Sequence, residues 1–584
     1  MVSTKKIPLS TGVLTSLSAL LLFFGFGIVA LIIIHPPHEK IAVVGSTFGI
    51  FIILVGIWLL GSPDISFHPA PSRPWLCFLP VIIGVSVNLS ASLVSPAISA
   101  LALAAVLTFS FLLFRTINVS KAYVAFLVVF LAALVGYNVF CCYPLIKTID
   151  SWRYLSVASA IVQRGHYSDV IQPTDRYYFP FPVMSIVPSI LSSVTGLNLE
   201  LSLLLFPGSL ILLQPLLVFL LSRLVFCDVK AAAFSAFIVL TEIEVTQWIG
   251  GPIPQSISTS LLLLLLILLF GRIRSRGHVV GAFVVLLMLT ALHGAVGLVS
   301  IALVSFLVLR ERSSHKTIIL PMVVIVLGYV MITEVIESLV RNAQISLESM
   351  LEWIFTPTFI TGSERYGAGS NGLLFIWWGL PVSLALFYIS VLRMKKASSW
   401  AYAGLGLLAF SFGVNIVAPS LNVHRYGGLA AWLVLATIGG KALTTLTRTS
   451  RQLLMVVPMV FLICLSGVLD PSLSPQYAYQ GYNGELPTTK LDRAALDWVN
   501  SHVTSNVIAD SQSGYYLIFR RYQSGVLSDI GILRYRPDEI PSTPKPGNAL
   551  FVRSNMSSNQ QKNRNQTVNI LYDDSRDALE TDAA

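Results

Sequence analysis

The chain is dominated by apolar runs of about 20 residues, the length that an α-helix needs to cross the hydrocarbon core of a bilayer. About 15 such runs lie between Thr11 and Leu469, among them residues 11–34, 318–340 and 427–440, separated mostly by short polar connections. Of the 584 residues, 55% are hydrophobic and only 11% are charged, whereas soluble globular domains carry about 25% charged residues. The pattern therefore predicts an all-α polytopic membrane protein and excludes a soluble globular fold for this part of the chain.

The net charge is +10, but the basic residues are divided among alternate connections and form no single patch, which argues against nucleic acid as a partner. The more basic set of connections includes Lys5, Arg274 and Lys441. The positive-inside rule makes that side cytoplasmic. We therefore expect a multi-pass protein of the cell membrane with a cytoplasmic amino terminus, and with Asp150 and everything after Asp470 outside.

Composition divides the chain into four regions. Residues 1–121 form an amino-terminal transmembrane extension, and residues 122–469 form the main transmembrane domain. From Asp470 the mixture becomes polar, and helical spacing is followed by short strands near 506–509 and 550–552, so we expect a small external α/β domain over residues 470–553. Residues 554–584 are polar, with a stretch rich in Asn, Ser and Gln, and are expected to be a disordered tail.

One polar segment interrupts the apolar runs and carries Asp150 at a predicted membrane edge. The apolar residues that follow recur at helical spacing up to Gly165, so an amphipathic helix along the membrane surface is expected. A second partly immersed helix over 182–197 is expected to be broken by Pro188. A carboxylate at a membrane edge is costly and suggests function, and Asp150 is suited to act as a general base. It is equally suited to be a helix N-cap, and both roles are compatible.

Other polar residues at predicted external edges suit a phosphorylated ligand or a metal ion. Arg425, flanked by His424 and Tyr426, can bind phosphate oxygens through its planar guanidinium, or can reach lipid headgroups instead. Glu242 and Glu244 are close enough to share one Mg²⁺ or Mn²⁺ ion, with ordinary solvated acids as the alternative.

Two further features are candidates for the same site. His293 lies at a predicted external hinge, where it could join a metal site or act only in helix packing. Glu364, Arg365 and Tyr366 precede a glycine-rich stretch in a long external loop, which could cover a substrate or hold only a solvated ion pair.

Taken together, these motifs resemble the GT-C superfamily of integral membrane glycosyltransferases. The resemblance covers roughly residues 122–552: an external loop with Asp150, a short helix ending at Gly165, the proline and aromatic stretch 177–182, and the His424, Arg425, Tyr426 motif. Glu242-x-Glu244 and Thr361-x-x-Glu364 are similar to motifs of the oligosaccharyltransferase branch. The Trp-Trp-Asp motif of that branch is absent, and the helices before Ala122 are an addition.

The resemblance implies a polyprenyl-phosphate or polyprenyl-pyrophosphate sugar donor, a protein or glycan acceptor, and a role of Asp150 as general base on the external face. Two other classes of function stay open. A transporter or flippase for lipid-linked sugars would move the lipid without forming a bond, although the paired repeats typical of transporters are not visible. A nonenzymatic scaffold would make the candidate residues dispensable.

Overall fold

The computed structural model describes the larger part of the chain, mostly as helices. The described residues are 11–34, 39–60, 82–87, 96–116, 124, 127–135, 149–165, 183–241, 254–271, 276–310, 374–392, 398–417, 423–468, 490–502, 506–510, 516–517, 519–520, 532–535, 548–553, 568–573 and 577–582.

Fourteen of the labelled helices lie in the region of apolar runs. They are α1 (Thr11–Ile34), α2 (Glu39–Leu59), α3 (Pro96–Thr116), α4 (Ile149–Arg164), α5 (Val183–Thr195), α6 (Leu199–Phe226), α7 (Val229–Leu240), α8 (Pro254–Phe270), α9 (Arg276–Leu292), α10 (Gly294–Arg310), α11 (Leu374–Phe387), α12 (Ser398–Val417), α13 (Val423–Leu446) and α14 (Ser450–Val468). A π-helical turn, Tyr388–Leu392, extends α11.

Most of these helices were expected from the apolar runs, and one expectation is wrong. Pro188 does not break α5, which continues through it to Thr195. Proline removes one backbone donor, but a neighbouring helix and serine side chains can satisfy the backbone that it disturbs. Here the Ser189 hydroxyl lies 2.6 Å from the Ser185 carbonyl oxygen and 3.1 Å from that of Ala158 in α4. The expected span over 318–340 lies outside the described residues.

Large apolar side chains are exposed on the outer faces of several described helices. Phe23 on α1, Val194 on α5 and Leu454 on α14 are 79%, 78% and 69% exposed. Within the described residues, α6 and the Gly428–Leu446 part of α13 are long and apolar enough to span a bilayer, and nine further helices are apolar but shorter.

Helices α6, α7 and α13 pack closely through small residues in the bundle interior. The Ser235 hydroxyl of α7 lies 2.9 Å from both the Ser222 hydroxyl of α6 and the Thr437 carbonyl oxygen of α13. At Gly440, a Cβ atom would lie 2.6 Å from the Ser235 backbone nitrogen and would also collide with the Ala231 carbonyl oxygen. Small residues that allow backbones this close are typical of helix interfaces in membranes.

Two contacts show that α6 and α13 run in the same direction. Ser222 donates to the Thr437 carbonyl oxygen at 3.3 Å, and the Lys441 ammonium donates to the Asp228 carboxylate at 2.8 Å. These residues lie at or just after the carboxyl-terminal halves of α6 and α13, a level that we call the Asp228 end. Both helices therefore begin on the opposite side of the bundle, which we call the Glu200 end. Along α13, Arg425 lies about 24 Å from Lys441.

After the bundle the chain forms α15 (Lys490–His502) and a five-stranded sheet. The strands are β1 (Asn506–Asp510), β2 (Ile532–Tyr535), β3 (Asn548–Arg553), β4 (Val568–Asp573) and β5 (Asp577–Asp582), in the spatial order β2-β1-β3-β5-β4. β1 is parallel to β2 and β3, whereas β5 is antiparallel to β3 and β4. β4 and β5 lie within residues 554–584, where the sequence predicts a disordered tail.

Candidate functional site

Asp150 lies in the first turn of α4, one residue after the helix begins. Its two expected roles, general base and helix N-cap, both stay predictions. The sequence supports the helix at both ends, because an acid in the first turn and Arg164 in the last both match the helix dipole. Gly165, with φ near 80°, ends α4 as expected, and its backbone N–H donates to the Ile161 carbonyl oxygen.

The amino-terminal half of α4 is buried. Trp152 and Leu155 are fully buried and Tyr154 and Ala158 nearly so, whereas Val162 near the other end is 45% exposed. The helix packs against α5 and α6. The residues that follow Asp150 therefore lie inside the protein, although the sequence predicts a helix lying along the membrane surface.

A cluster of side chains from the C-terminal region covers Trp152. The Tyr516 ring meets the indole edge to face at 4.9 Å between centroids, and the Phe519 ring lies at 5.7 Å. The guanidinium carbon of Arg493, from α15, lies 4.7 Å from the centroid of the Trp152 ring and 5.6 Å from that of Tyr516. We call Trp152, Arg493, Tyr516 and Phe519 the Trp152 cluster.

Arg493 also joins the cluster to the start of α6. Its Nη1 atom donates to Glu200 Oε2 at 3.0 Å, and both side chains are largely buried. Its Nε and Nη2 atoms are buried without a hydrogen-bond partner among the described residues. Glu200 lies in the first turn of α6, where the Asn198 side chain caps the helix by accepting a bond from the Leu201 N–H. α4, α6 and α15 therefore meet at the Glu200 end of the bundle.

Asp497, on α15, links this helix to Tyr516 and Arg520 next to the Trp152 cluster. Its carboxylate accepts bonds from the Tyr516 hydroxyl at 3.0 Å and from Arg520 Nε at 2.7 Å. Burial raises the pKa of Tyr516, and the nearby Asp497 carboxylate raises it further. Burial alone would lower the pKa of Arg520, but the bond to Asp497 leaves it raised. At neutral pH both groups therefore remain protonated and donate.

The sequence analysis did not predict this cluster. Trp152 was expected to lie on the apolar face of its helix, but nothing in the sequence indicated that its partners come from residues more than 300 positions away. The available signals were Glu200, an acid at the start of a long apolar run, and Arg493 and Asp497, a charged pair four residues apart on an amphipathic helix. These signals indicate buried or paired charges without indicating the partner.

The structure describes only part of the other predicted site. His424, Arg425 and Tyr426 fall in the first turn of α13, toward the Glu200 end, and their side chains lie outside what is described. Glu242 and Glu244 lie beyond the described end of α7 at Thr241, and Glu364, Arg365 and Tyr366 also lie outside the described residues.

His293 joins α9 to α10, which confirms the predicted break between these helices. Its backbone N–H donates to the Leu289 carbonyl oxygen, and its own carbonyl oxygen accepts from Gly297. Within the described part of the chain, no group of three or more His, Cys, Asp and Glu side chains is placed to hold a metal ion.

Comparisons with known proteins give matches only among solved structures. No protein-family model and no curated protein sequence matches the chain. A crystal structure of ArnT from Cupriavidus metallidurans bound to undecaprenyl phosphate is 12% identical, with a TM-score of 0.46, over 79% of this chain and 98% of that one. The apo oligosaccharyltransferase of Archaeoglobus fulgidus is 14% identical, with a TM-score of 0.47, over 75% of this chain and 70% of that one.

A third structure is the oligosaccharyltransferase AglB from Archaeoglobus fulgidus in complex with an inhibitory peptide and a dolichol-phosphate. It is 12% identical, with a TM-score of 0.45, over 76% of this chain and 71% of that chain. Identities of 12 to 14% and TM-scores below 0.5 leave the activity of this chain to be argued from its own residues.

Proposed function

We propose that this chain is a membrane glycosyltransferase of the GT-C type, which moves a sugar from a polyprenyl-linked phosphate or pyrophosphate donor to a protein or glycan acceptor. The observation that carries the proposal is that two helix starts lie on the same side of the bundle. Asp150 lies in the first turn of α4, and Arg425 lies in the first turn of α13. Both turns lie toward the Glu200 end of the bundle. This arrangement supports the proposal that Asp150 and Arg425 act as base and phosphate-binding group on the same side of the membrane.

In the proposed reaction, Asp150 accepts a proton from the acceptor nucleophile as that atom forms a bond to the anomeric carbon. The bond between the anomeric carbon and the phosphate oxygen breaks, and the lipid phosphate leaves with the electron pair. General-base assistance of this kind contributes roughly 100- to 10,000-fold to rate. A base at the membrane edge can receive a polar acceptor while the polyprenyl chain stays in the lipid.

Arg425, with His424 and Tyr426, is proposed to bind the donor phosphate. The first turn of a helix offers unpaired backbone N–H groups and the positive end of the helix dipole, both of which favour anions. A guanidinium adds two parallel donors to phosphate oxygens. We therefore expect Arg425 and the first turn of α13 to hold the phosphate as it leaves.

Glu242 and Glu244 are proposed to hold one divalent cation, Mg²⁺ or Mn²⁺, with His293 as a further candidate ligand. The loop residues Glu364, Arg365 and Tyr366 are proposed to cover the bound substrate. The Glu200 end of the bundle is proposed to face outward and the Asp228 end the cytoplasm, because basic connections cluster at the latter.

The test is transfer of radiolabelled sugar from a native lipid extract to endogenous acceptors by the purified full chain. We expect Asp150→Asn to lower the rate at least about 100-fold. Arg425→Gln should raise the KM for the donor, and a chelator should abolish transfer if the Glu242 and Glu244 assignment is correct. The exposed Arg451, at the start of α14, supplies the control Arg451→Gln, which should leave the rate unchanged.

Equal rates for the wild type and Asp150→Asn would remove Asp150 from the mechanism. If the wild type made no product while still moving labelled lipid between leaflets of a vesicle, the transporter interpretation would replace the enzyme.

A further inference from the structure

The C-terminal region contacts α4 only two residues from Asp150. Trp152, which is fully buried, is covered by Arg493, Tyr516 and Phe519. Along the helix axis, Trp152 lies about 3 Å from Asp150. Three side chains from the C-terminal region, Arg493, Tyr516 and Phe519, therefore help to fix the rotation of this part of α4.

The first turn of a helix depends on such packing. Its backbone N–H groups have no partners within the helix, so it frays more easily than the middle of the helix. Trp152 lies within this turn, and its indole is the largest fully buried side chain among the described residues. Clamping the indole therefore restrains the part of α4 that would otherwise be the most mobile.

Arg493 is suited to this role because it makes two different contacts at once. Its flat guanidinium lies over the Trp152 ring, and its Nη1 atom binds Glu200 on α6. Arginine can stack on an aromatic ring and bind a carboxylate in one geometry, whereas the point charge of lysine can do only one well. Because α6 is the longest of the described helices, Arg493 ties the first turn of α4 to a fixed element of the bundle.

We propose that Arg493 is a positioning residue for Asp150: the stack of Arg493 on Trp152, anchored by Glu200, sets the orientation of the first turn of α4. The inference rests on the proposed role of Asp150 as general base. It assigns the C-terminal region a part in the reaction that is separate from any binding of acceptor. Removal of the stack leaves the base present but misplaced, and a misplacement of about 1 Å can cost roughly 100-fold in rate.

The experiment compares Arg493→Met, Arg493→Lys and the control Arg451→Gln in the full chain, using hydrogen exchange and sugar transfer. Arg493→Met should speed exchange of the hydrogen-bonded amides in residues 153–158 at least about 10-fold while leaving α13 unchanged. It should lower kcat about 10- to 100-fold, with the donor KM changed by less than about 2-fold. Arg493→Lys keeps the charge but loses the flat face, so it should fall between Arg493→Met and the wild type.

A second comparison separates positioning from a merely structural role. If Arg493 acts through Asp150, adding Arg493→Met to Asp150→Asn should lower the residual rate by less than about 3-fold. A full additional loss would overturn the proposal, as would unchanged exchange in α4 or a loss confined to KM. Arg493→Lys carries the test if Arg493→Met does not fold. If the wild type made no product, the glycosyltransferase proposal would be refuted instead. Amide hydrogen exchange in α4 of the Arg493 variants would still decide whether Arg493 restrains this turn.

Discussion

Gly440 is where α7 and α13 come together backbone to backbone, and its replacement by alanine should be strongly destabilising. The added methyl group would lie 2.6 Å from the Ser235 nitrogen and would collide with the Ala231 carbonyl oxygen and the Ser235 hydroxyl. Real Cβ atoms essentially never lie that close to another heavy atom. Two of the three obstructing atoms belong to a helix backbone, so relief requires the helices to separate.

The expected cost follows from two contributions. Forcing an extra methyl group into a packed interior typically costs about 1 to 3 kcal/mol. Separation of the helices also weakens the bond from the Ser235 hydroxyl to the Thr437 carbonyl oxygen, which is 2.9 Å long, and interhelical bonds in membranes average about 0.6 kcal/mol. Together they predict a loss of about 2 to 4 kcal/mol for Gly440→Ala.

The assay is the apparent melting temperature of the detergent-solubilised chain, followed by size-exclusion chromatography after heating. Gly406→Ala is the matched control, because a Cβ atom at Gly406 meets nothing within 4 Å and alanine favours the helix. We expect Gly440→Ala to melt at least about 3 °C lower and Gly406→Ala to melt no lower than the wild type. If both variants melted like the wild type, the close approach of α7 and α13 would be refuted.

Two further predictions concern other contacts in the bundle. Partial burial would raise the pKa of Asp228, but hydrogen bonds from Lys441 and from the α7 backbone hold it below its ordinary value. The stability that this pair adds is therefore present at neutral pH and lost as the pH falls below about 4. Asparagine at position 228 can still cap α7 but carries no charge, so Asp228→Asn should remove this pH-dependent contribution to stability, worth at most about 1 kcal/mol. If the melting temperatures of Asp228→Asn and the wild type coincided from pH 7 to pH 3, the prediction would be contradicted. At the α9–α10 turn, a Cβ atom on Gly297 would lie 3.2 Å from the Thr290 Cα atom, so Gly297→Ala should lower the melting temperature, whereas Gly281→Ala, whose nearest contact is 3.8 Å, should not. Equal melting of these two variants would show that the turn is not tightly packed.

The sequence predicted the helices well because apolar length alone decides where a membrane helix can form. α1, expected over residues 11–34, has those bounds in the structure. α13 runs beyond the expected 427–440 at both ends, because polar residues there are helical as well. Lys441, for example, is accommodated because it reaches Asp228.

The contacts between helices could not be predicted in the same way. Which face of α4 meets which partner depends on the rotation and level of each helix, and apolar residues all around a helix leave both undetermined. Trp152 and Arg493 illustrate this limit, since each has an unremarkable local sequence and their contact spans more than 300 positions. The base Asp150 could be proposed from its location at the end of an apolar run, whereas its support by α15 could not.

The length of α6 bears on how the protein fits its membrane. Its 28 residues extend about 42 Å, whereas the hydrocarbon core of a bilayer is about 30 Å thick. Even with the tilt common for such helices, part of α6 stands clear of the hydrocarbon. In a bilayer-spanning orientation, this excess length allows the Glu200–Arg493 pair at its start to lie in the headgroup region, where charged groups are tolerated. A thicker bilayer would draw this pair toward the lipid tails, so hydrophobic mismatch would act on the contact that joins α15 to the bundle.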